Sequence, residues 1–408
     1  MKLDLPSKKN NLEINQLYHP TGKFRSDSFD EVHSKDEINR TKFTEILLKE
    51  WFYLLKKGGL LVIDYQPNKI CDKEKLEQIM KWLWGGNYIT ISHDYISKKR
   101  LRFICKKTSS TKIPGDSIIK WTFGIITNGK REQWVNKIIE SIRKQKIPHY
   151  EIIICGTYFG KVERDTRYIH FNKRDDKGWI TKKKNLIVKK AKYENICMLH
   201  DRMVLDKSWY RGMKKWGNCF ENLGCQQLFE GVRVNDWIAS HYFIDNKNGE
   251  KFSFESYVDY RDWYPTILFL GQLNIFKKSL IIKNNLWWDE SLFYGQREDF
   301  HFSMDLHKKG FIHRFNDFAK VFTLTNKYVS PTFIKYDLLS LNPHMKLDSP
   351  NAYLKAITYF VLRILNFLGI NFSHKVLENI RGRIYTFILM FNPKRYSYNR
   401  EWKRAIKA

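Results

Sequence analysis

The chain has 408 residues, of which 43% are hydrophobic and 28% are charged, so it contains enough apolar material for a buried core and is not intrinsically disordered. Its 72 lysines and arginines outnumber its 43 aspartates and glutamates, which gives a formal net charge of +29 and indicates a polyanionic partner: nucleic acid, an anionic membrane surface or a phosphorylated substrate. Its six cysteines are too few for a disulfide scaffold and lack the CxxC spacing of a zinc ribbon, so they favour a reducing compartment.

The first region, residues 1–111, is expected to form a small α/β module. Hydrophobic spacing and glycine breaks predict, in chain order, a helix over 38–57, a strand over 60–64, a helix over 73–84 and a strand over 101–105. A linker rich in Lys, Ser and Thr follows at 106–115.

Two segments of this region, 28–34 and 54–64, resemble the carboxyl-terminal half of a class I methyltransferase. The second resembles the family's Leu-Lys-Pro-Gly-Gly turn and the strand that follows it. The family's glycine-rich loop, which holds S-adenosylmethionine through close backbone approach, has no counterpart before Ser28. We therefore expect a degenerate, non-catalytic module that serves packing or assembly.

The second region, residues 116–330, alternates strands with helices. Strands are predicted over 121–126, 151–155 and 195–199, and helices over 132–145 and 181–191. This alternation predicts an α/β fold with a parallel sheet that is covered by helices on both faces. Ligands of such sheets bind beyond the carboxyl ends of the strands. Those ends carry Thr127, Asn128, Gly129, Gly156, His200, Asp201 and Arg202.

Four segments of this region, taken in order, resemble the GT-A fold of family-2-like glycosyltransferases. They are the opening strand with its loop, the G…(K/R)N helix start at 178–185, the A…strand-DxD segment at 191–201, and the (W/F)DE…GxxED segment at 288–300. The resemblance implies a Rossmann-like GT-A sheet and an inverting enzyme. It also implies a nucleotide-sugar donor, a glycan or lipid-linked glycan acceptor, and a cell-surface product such as lipopolysaccharide or capsule.

The residues after the strands are the candidates for the donor site. Sugar transfer needs the diphosphate leaving group neutralised and the acceptor hydroxyl activated by a base. Asp201 is placed to bind a divalent metal, Mn2+ or Mg2+, with His200 as a second ligand. The family pattern has two aspartates here and this chain has one, so Arg202 and nearby lysines are the alternative means of neutralisation. The resemblance also assigns Lys184 and Asn185 to the donor.

Glu298 and Asp299 directly precede a helix predicted over 300–309. Carboxylates at a helix start lie in a favourable dipole field, which keeps them ionised. The resemblance implies that Asp299 is the base and that Glu298 binds the acceptor. The alternative is a helix cap with first-turn acids and no chemistry. Trp288 is expected in the core or at an acceptor platform, and His313 at the surface.

The third region, residues 331–408, is a basic, amphipathic, helical tail that is expected to lie on an anionic membrane surface; the alternative is a helical extension packed on the catalytic domain. Without an apolar leader or a spanning segment, the sequence predicts a cytoplasmic protein, peripheral on the inner face of the membrane. Nucleic acid is not expected as a partner, because the basic residues are spread along the chain and no recognised module occurs. A basic nucleic-acid-binding protein and an inactive scaffold remain the alternatives to an enzyme.

Overall fold

The computed structural model describes residues 11–14, 26–39, 44–111, 113, 117–171, 178–234, 236–245, 249–258, 260, 263, 267–268, 271–293 and 298–325. The predicted tail at 331–408 lies outside these ranges. Within them, no helix combines the length and the apolar character that crossing a membrane requires.

A five-stranded sheet with two helices forms the N-terminal module. Its elements are β1 (Asn11–Ile14), β2 (Phe29–Lys35), α1 (Thr44–Leu54), β3 (Leu55–Tyr65), α2 (Lys73–Trp84), β4 (Tyr88–Ser97) and β5 (Arg100–Lys107). The strand order is β1-β2-β3-β5-β4. Strands β1, β2 and β3 are parallel, β5 is antiparallel to β3, and β4 is antiparallel to β5. Helix α2 has the predicted bounds, because Asp72 caps it by accepting a hydrogen bond from the Lys75 amide at 2.8 Å. The methyltransferase-like interpretation stays a prediction.

The remaining described residues form a larger α/β domain built on a nine-stranded sheet. Its strands are β6 (Lys120–Ile126), β7 (His149–Gly156), β8 (Thr166–His170), β9 (Asn195–His200), β10 (Met203–Leu205), β11 (Asn222–Phe229), β12 (Val232–Arg233), β15 (Leu273–Lys277) and β16 (Phe315–Thr323), and a separate hairpin is formed by β13 (Ile238–Asp245) and β14 (Gly249–Tyr257). The helices are α3 (Glu132–Arg143), α4 (Ile180–Lys190), α5 (Trp209–Trp216), α6 (Lys278–Asn284) and α7 (Glu298–Lys308).

The prediction of a parallel sheet is confirmed for one half of this domain. Strands β9, β6, β7 and β8 are parallel neighbours, with Ile126 of β6 opposite both Cys155 and His200. The other half is mixed, because β15 pairs antiparallel with β9 and β11 pairs antiparallel with β15. The register places the carboxyl ends of β6, β7 and β9 at the same edge as the start of β15.

Two buried ion pairs join the N-terminal module to this domain. The Lys49 ammonium lies 3.7 Å from a Glu221 carboxylate oxygen and donates to the Gly310 carbonyl at 2.5 Å. Beside it the Arg314 guanidinium contacts the Glu50 carboxylate. The four charged side chains of these pairs are buried, and burial raises the pKa of Glu50 to about 7. Charges placed this deep need their partners.

Replacing Arg314 with leucine is therefore expected to lower the free energy of unfolding by about 3–5 kcal/mol, because it leaves the Glu50 carboxylate buried without its guanidinium. Urea denaturation of the full chain measures the change. The double variant Glu50→Gln/Arg314→Leu is expected to regain part of the loss. If the double variant is less stable than the single one, the pairing is not the source of the effect.

Candidate active site

The loop after β6 and the turn after β9 meet at Asp201. Thr127 Oγ1 donates a hydrogen bond to Asp201 Oδ2 at 3.3 Å and accepts one from the Gly129 amide at 3.1 Å. The other Asp201 oxygen accepts from Arg131 Nη1 at 3.1 Å. Both carboxylate oxygens are thus held by the β6–α3 connection, as expected for residues at adjacent ends of parallel strands.

The loops after β6 and β7 also touch. Gly129 has a φ of +81°, and a Cβ added there would lie 2.9 Å from Thr157 Cγ2, so this position requires glycine. Gly156, just before Thr157, also has positive φ, at +137°. Asn128 shapes the turn, since its Oδ1 accepts from the Lys130 amide at 3.1 Å. The predicted donor residues Asn128, Gly129 and Gly156 therefore lie together at one edge of the sheet.

The three successive lysines of α4 have three different surroundings. Lys182 lies over the Trp179 ring, with 4.2 Å from Nζ to the ring centroid. Lys183 is buried and donates to the Thr127 carbonyl at 2.8 Å. Burial lowers the pKa of Lys183 to about 8, an effect that Asp201 partly offsets. Lys183, rather than Lys184, therefore supplies the positive charge at the ends of β6 and β9.

Lys184 lies instead beside the acidic pair at the start of α7. Its buried Nζ is 3.5 Å from Glu298 Oε1. Burial raises the pKa of Glu298, and the Lys184 ammonium opposes that rise. The expectation that its place at the helix start favours the ionised form of Glu298 is therefore wrong, because desolvation outweighs the dipole. Asp299 accepts two backbone hydrogen bonds at 3.1 Å, from Gly271 at Oδ2 and from Phe300 at Oδ1. The pair opens the helix as predicted, and both carboxylates are held in fixed positions.

Gln272 connects this acidic pair to the turn after β9. Its carbonyl accepts from the His200 amide at 3.0 Å, and its Oε1 accepts from Arg202 Nη2 at 2.6 Å. The preceding residue, Gly271, donates to Asp299. Two consecutive residues directly before β15 thus contact both the β9 turn and the first turn of α7. Asp201 and the acidic pair consequently lie at the same edge of the molecule.

Two residues assigned to the donor make their described contacts within the protein. The Asn185 amide donates to the Trp288 carbonyl at 2.8 Å and to Glu290 Oε1 at 3.0 Å, and its Oδ1 accepts from the Trp288 amide at 3.1 Å. Asn185 therefore positions the 288–290 segment, because each of its polar atoms is engaged there. The Arg202 guanidinium is directed at Gln272 in the same way.

The remaining expectations concern the core. Trp288 is buried and stacks on Phe302 with ring centroids 4.0 Å apart, which makes it a core residue. The surface role expected for His313 is wrong: its side chain is buried, Nδ1 lies 3.2 Å from Asn222 Oδ1, and desolvation lowers the pKa of His313 to about 3. A buried histidine of this kind serves packing.

The surroundings of Asp201 do not fit a divalent metal. Its oxygens accept from Arg131 and Thr127, and the nearby guanidinium and Lys183 ammonium repel a cation. His200 is half-buried and donates its amide to Gln272. Across the described ranges, no cluster of three or more His, Cys, Asp or Glu side chains could hold a metal ion. Of the two predicted metal ligands, Asp201 and His200, only Asp201 is a carboxylate, and the cations Arg131 and Lys183 lie beside it.

No protein-family model matches the chain, and the search of curated proteins gives no match. Solved structures with a similar arrangement include residues 1–349 of S. aureus TarS, at 12% identity and a TM-score of 0.35, covering 59% of this chain and 80% of that one. Another is GalNAc-T7 with UDP, GalNAc and Mn2+, at 13% identity and a TM-score of 0.38, covering 53% of this chain and 47% of that one.

TarS 1–349 in complex with UDP-GlcNAc is a third, at 13% identity and a TM-score of 0.34, covering 54% of this chain and 65% of that one. TarS and GalNAc-T7 are glycosyltransferases.

Proposed function

We propose that the chain is a glycosyltransferase that moves a sugar from a nucleotide-sugar donor to a glycan acceptor. The observation that carries the proposal is the double contact of Gly271 and Gln272, with Asp299 on one side and the turn around Asp201 on the other. A cationic site for a diphosphate and a carboxylate pair for an acceptor hydroxyl are therefore held by one backbone segment. Transfer between sugars needs these two parts in fixed relation.

The donor diphosphate is neutralised by side chains in this proposal. Lys183 and Arg131 supply positive charge beside Thr127. The Asp201 carboxylate keeps Arg131 in place and does not carry a metal. Cationic side chains then do the work that the sequence resemblance gives to Mn2+ or Mg2+.

The acceptor hydroxyl is activated by the acidic pair. Its oxygen attacks the anomeric carbon, Asp299 takes the hydroxyl proton, and the bond to the diphosphate breaks with its electron pair leaving on the phosphate oxygen. Attack opposite the leaving group inverts the anomeric carbon. Gly271 and Phe300 orient the Asp299 carboxylate, while Glu298, held by Lys184, binds the acceptor.

The cellular part of the proposal is a role in cell-surface polysaccharide synthesis, on lipopolysaccharide or capsule, with a lipid-linked acceptor at the inner membrane face. It is supported by the basic amphipathic pattern of 331–408, which lies outside the described residues. A cytoplasmic enzyme held there by charge meets both a soluble donor and a membrane-bound acceptor.

A thermal-shift screen tests the donor assignment. UDP, GDP, ADP, CDP and dTDP are each added with and without MnCl2, and one of them is expected to raise the melting temperature by mass action. The rise in melting temperature is expected to occur without Mn2+. It is expected to be absent in Lys183→Met. Stabilisation that requires Mn2+ would overturn the cation-only donor site. Absence of any shift, together with retention on DNA, would favour the nucleic-acid alternative.

Binding of the stabilising diphosphate is expected to weaken on the order of tenfold as the pH rises through about 8. Below that pH Lys183 is protonated and attracts the phosphate oxygens; above it the amine is neutral. Titration calorimetry across this range measures the dissociation constant. Lys183→Arg keeps its charge and is expected to bind without the change, whereas the same pH profile in that variant would show that another group titrates.

A further inference from the structure

A cavity lies between the N-terminal module and the larger domain. Its volume is about 320 Å³, within the size range of small-molecule sites. Lys277, in its wall, is the last residue of β15, whereas Gln272 of the candidate active site precedes the first. The two residues are five steps apart along extended strand, a distance of about 17 Å. The cavity is therefore distinct from the candidate active site.

The described residues that line this cavity carry an excess of positive charge. Its charged side chains are one carboxylate, Glu221, and four lysines, Lys49, Lys277, Lys283 and Lys309. Lys283 and Lys309 are exposed and lie close together, because Lys309 Nζ donates to the carbonyl of Asn284 at 2.5 Å. These two lysines form a cationic mouth, which favours an anion.

The interior of the cavity holds buried polar atoms whose hydrogen bonds are not made within the described part of the chain. They are Glu221 Oε2, Trp84 Nε1 and Thr111 Oγ1, while Glu221 Oε1 forms the ion pair with Lys49. Glu221 and Trp84 are each 5% exposed. Because buried polar groups are normally paired, these atoms point to a ligand with both hydrogen-bond donors and acceptors.

We propose that this cavity binds a small phosphomonoester on a hydroxyl-bearing ring, the chemistry that sugar phosphates and nucleoside monophosphates share. Lys283 and Lys309 bind the phosphate at the mouth. The ring hydroxyls donate to Glu221 and accept from Trp84 Nε1. Since Trp84 belongs to the N-terminal module and Glu221 to the larger domain, the ligand connects the two and stabilises their contact.

Titration calorimetry on the full chain tests the proposal, with glucose 6-phosphate and adenosine monophosphate as separate probes for the two sources. At least one of the two probes is expected to bind saturably. The double variant Lys283→Ala/Lys309→Ala is expected to weaken that binding on the order of tenfold or more. The matched control is Lys98→Ala/Lys99→Ala, an exposed lysine pair on the β4–β5 turn, which is expected to bind as wild type. Trp84→Phe keeps the ring, loses Nε1–H and is expected to bind several-fold more weakly.

Lys183→Met separates this site from the donor site. It is expected to abolish nucleoside diphosphate binding and to leave probe binding at the cavity unchanged. The proposal is overturned if neither probe binds, if binding survives the loss of Lys283 and Lys309, or if Lys183→Met abolishes it. None of these results bears on whether the chain transfers sugars.

Discussion

Replacing Asp299 with asparagine is expected to slow sugar transfer by about a thousandfold, within the range that positioned acid–base groups contribute. The amide still accepts the Gly271 hydrogen bond through its oxygen, but it cannot take the proton of the acceptor hydroxyl. Initial rates with saturating donor and acceptor measure the loss. Nucleoside diphosphate binding is expected to stay near the wild-type value, since the donor site lies at the strand ends.

Asp305→Asn is the matched control, because Asp305 lies on the same helix with its side chain 54% exposed. It is expected to be as active as wild type. Glu298→Gln, the neighbouring change, is expected to raise the KM for the acceptor more than it lowers kcat. If Asp299→Asn retains wild-type kcat while Glu298→Gln loses it, the base is Glu298 and the assignment within the pair is reversed.

Replacing Gly271 with alanine is the second change with a large expected effect. A Cβ there would lie 2.7 Å from Glu298 Oε1, 3.3 Å from Lys184 Nζ and 3.4 Å from Asp299 Oδ2. The ends of these three side chains must move to make room for the methyl group, whereas the backbone at position 271 accepts alanine without strain. We expect a loss of activity on the order of a hundredfold, as for a catalytic group displaced by about an ångström, with the fold retained.

Gly86→Ala is the control for the added methyl group, because nothing lies within 4 Å of a Cβ at that position. Activity, circular dichroism and melting temperature are compared for both variants. If Gly271→Ala keeps full activity although its methyl group displaces the acidic pair, the position of that pair is not important for catalysis. An unfolded Gly271→Ala protein would show that the segment is needed first for stability, and Gly271→Ser would be expected to unfold as well.

Much of the secondary structure was predictable because it follows local patterns. Helix α2 has an N-cap and a glycine stop, and β6, β7 and β9 are apolar runs between turns. Helix α1 was less so: it was predicted over 38–57 but spans Thr44–Leu54, and its last predicted residues, from Leu55 on, belong to β3. Strand pairing with β2, in which Leu55 lies opposite Phe29, overrides the helical spacing there.

The site was predictable only in part, because it depends on side-chain direction and on distant pairing. Lys183 and Lys184 are neighbours in sequence, yet a rotation of about 100° per residue sends them to different partners. Only the packed helix decides that Lys183 reaches Thr127. Gln272 carries no motif, and its importance comes from the antiparallel pairing of β15 with β9. No spacing rule in the sequence indicates that contact.

The net charge of +29 also has a different meaning once the fold is known. Besides Lys183, five lysines of the described residues are buried: Lys49, Lys75, Lys107, Lys184 and Lys277. Lys107, for example, donates to Asp27 and to two backbone carbonyls of the N-terminal module. Part of the positive excess therefore serves internal contacts rather than an external polyanion. Composition alone could not separate the two uses.

We expect a donor diphosphate to bind where the ends of β6 and β9 meet, with the acidic pair beside it. A crystal structure of the full chain with the nucleoside diphosphate that stabilises it tests this most directly. We predict phosphate oxygens in hydrogen-bonding contact with Lys183 Nζ and the Arg131 guanidinium, without an intervening metal ion. A diphosphate bound at any other place, or held by a metal at Asp201, would contradict the account.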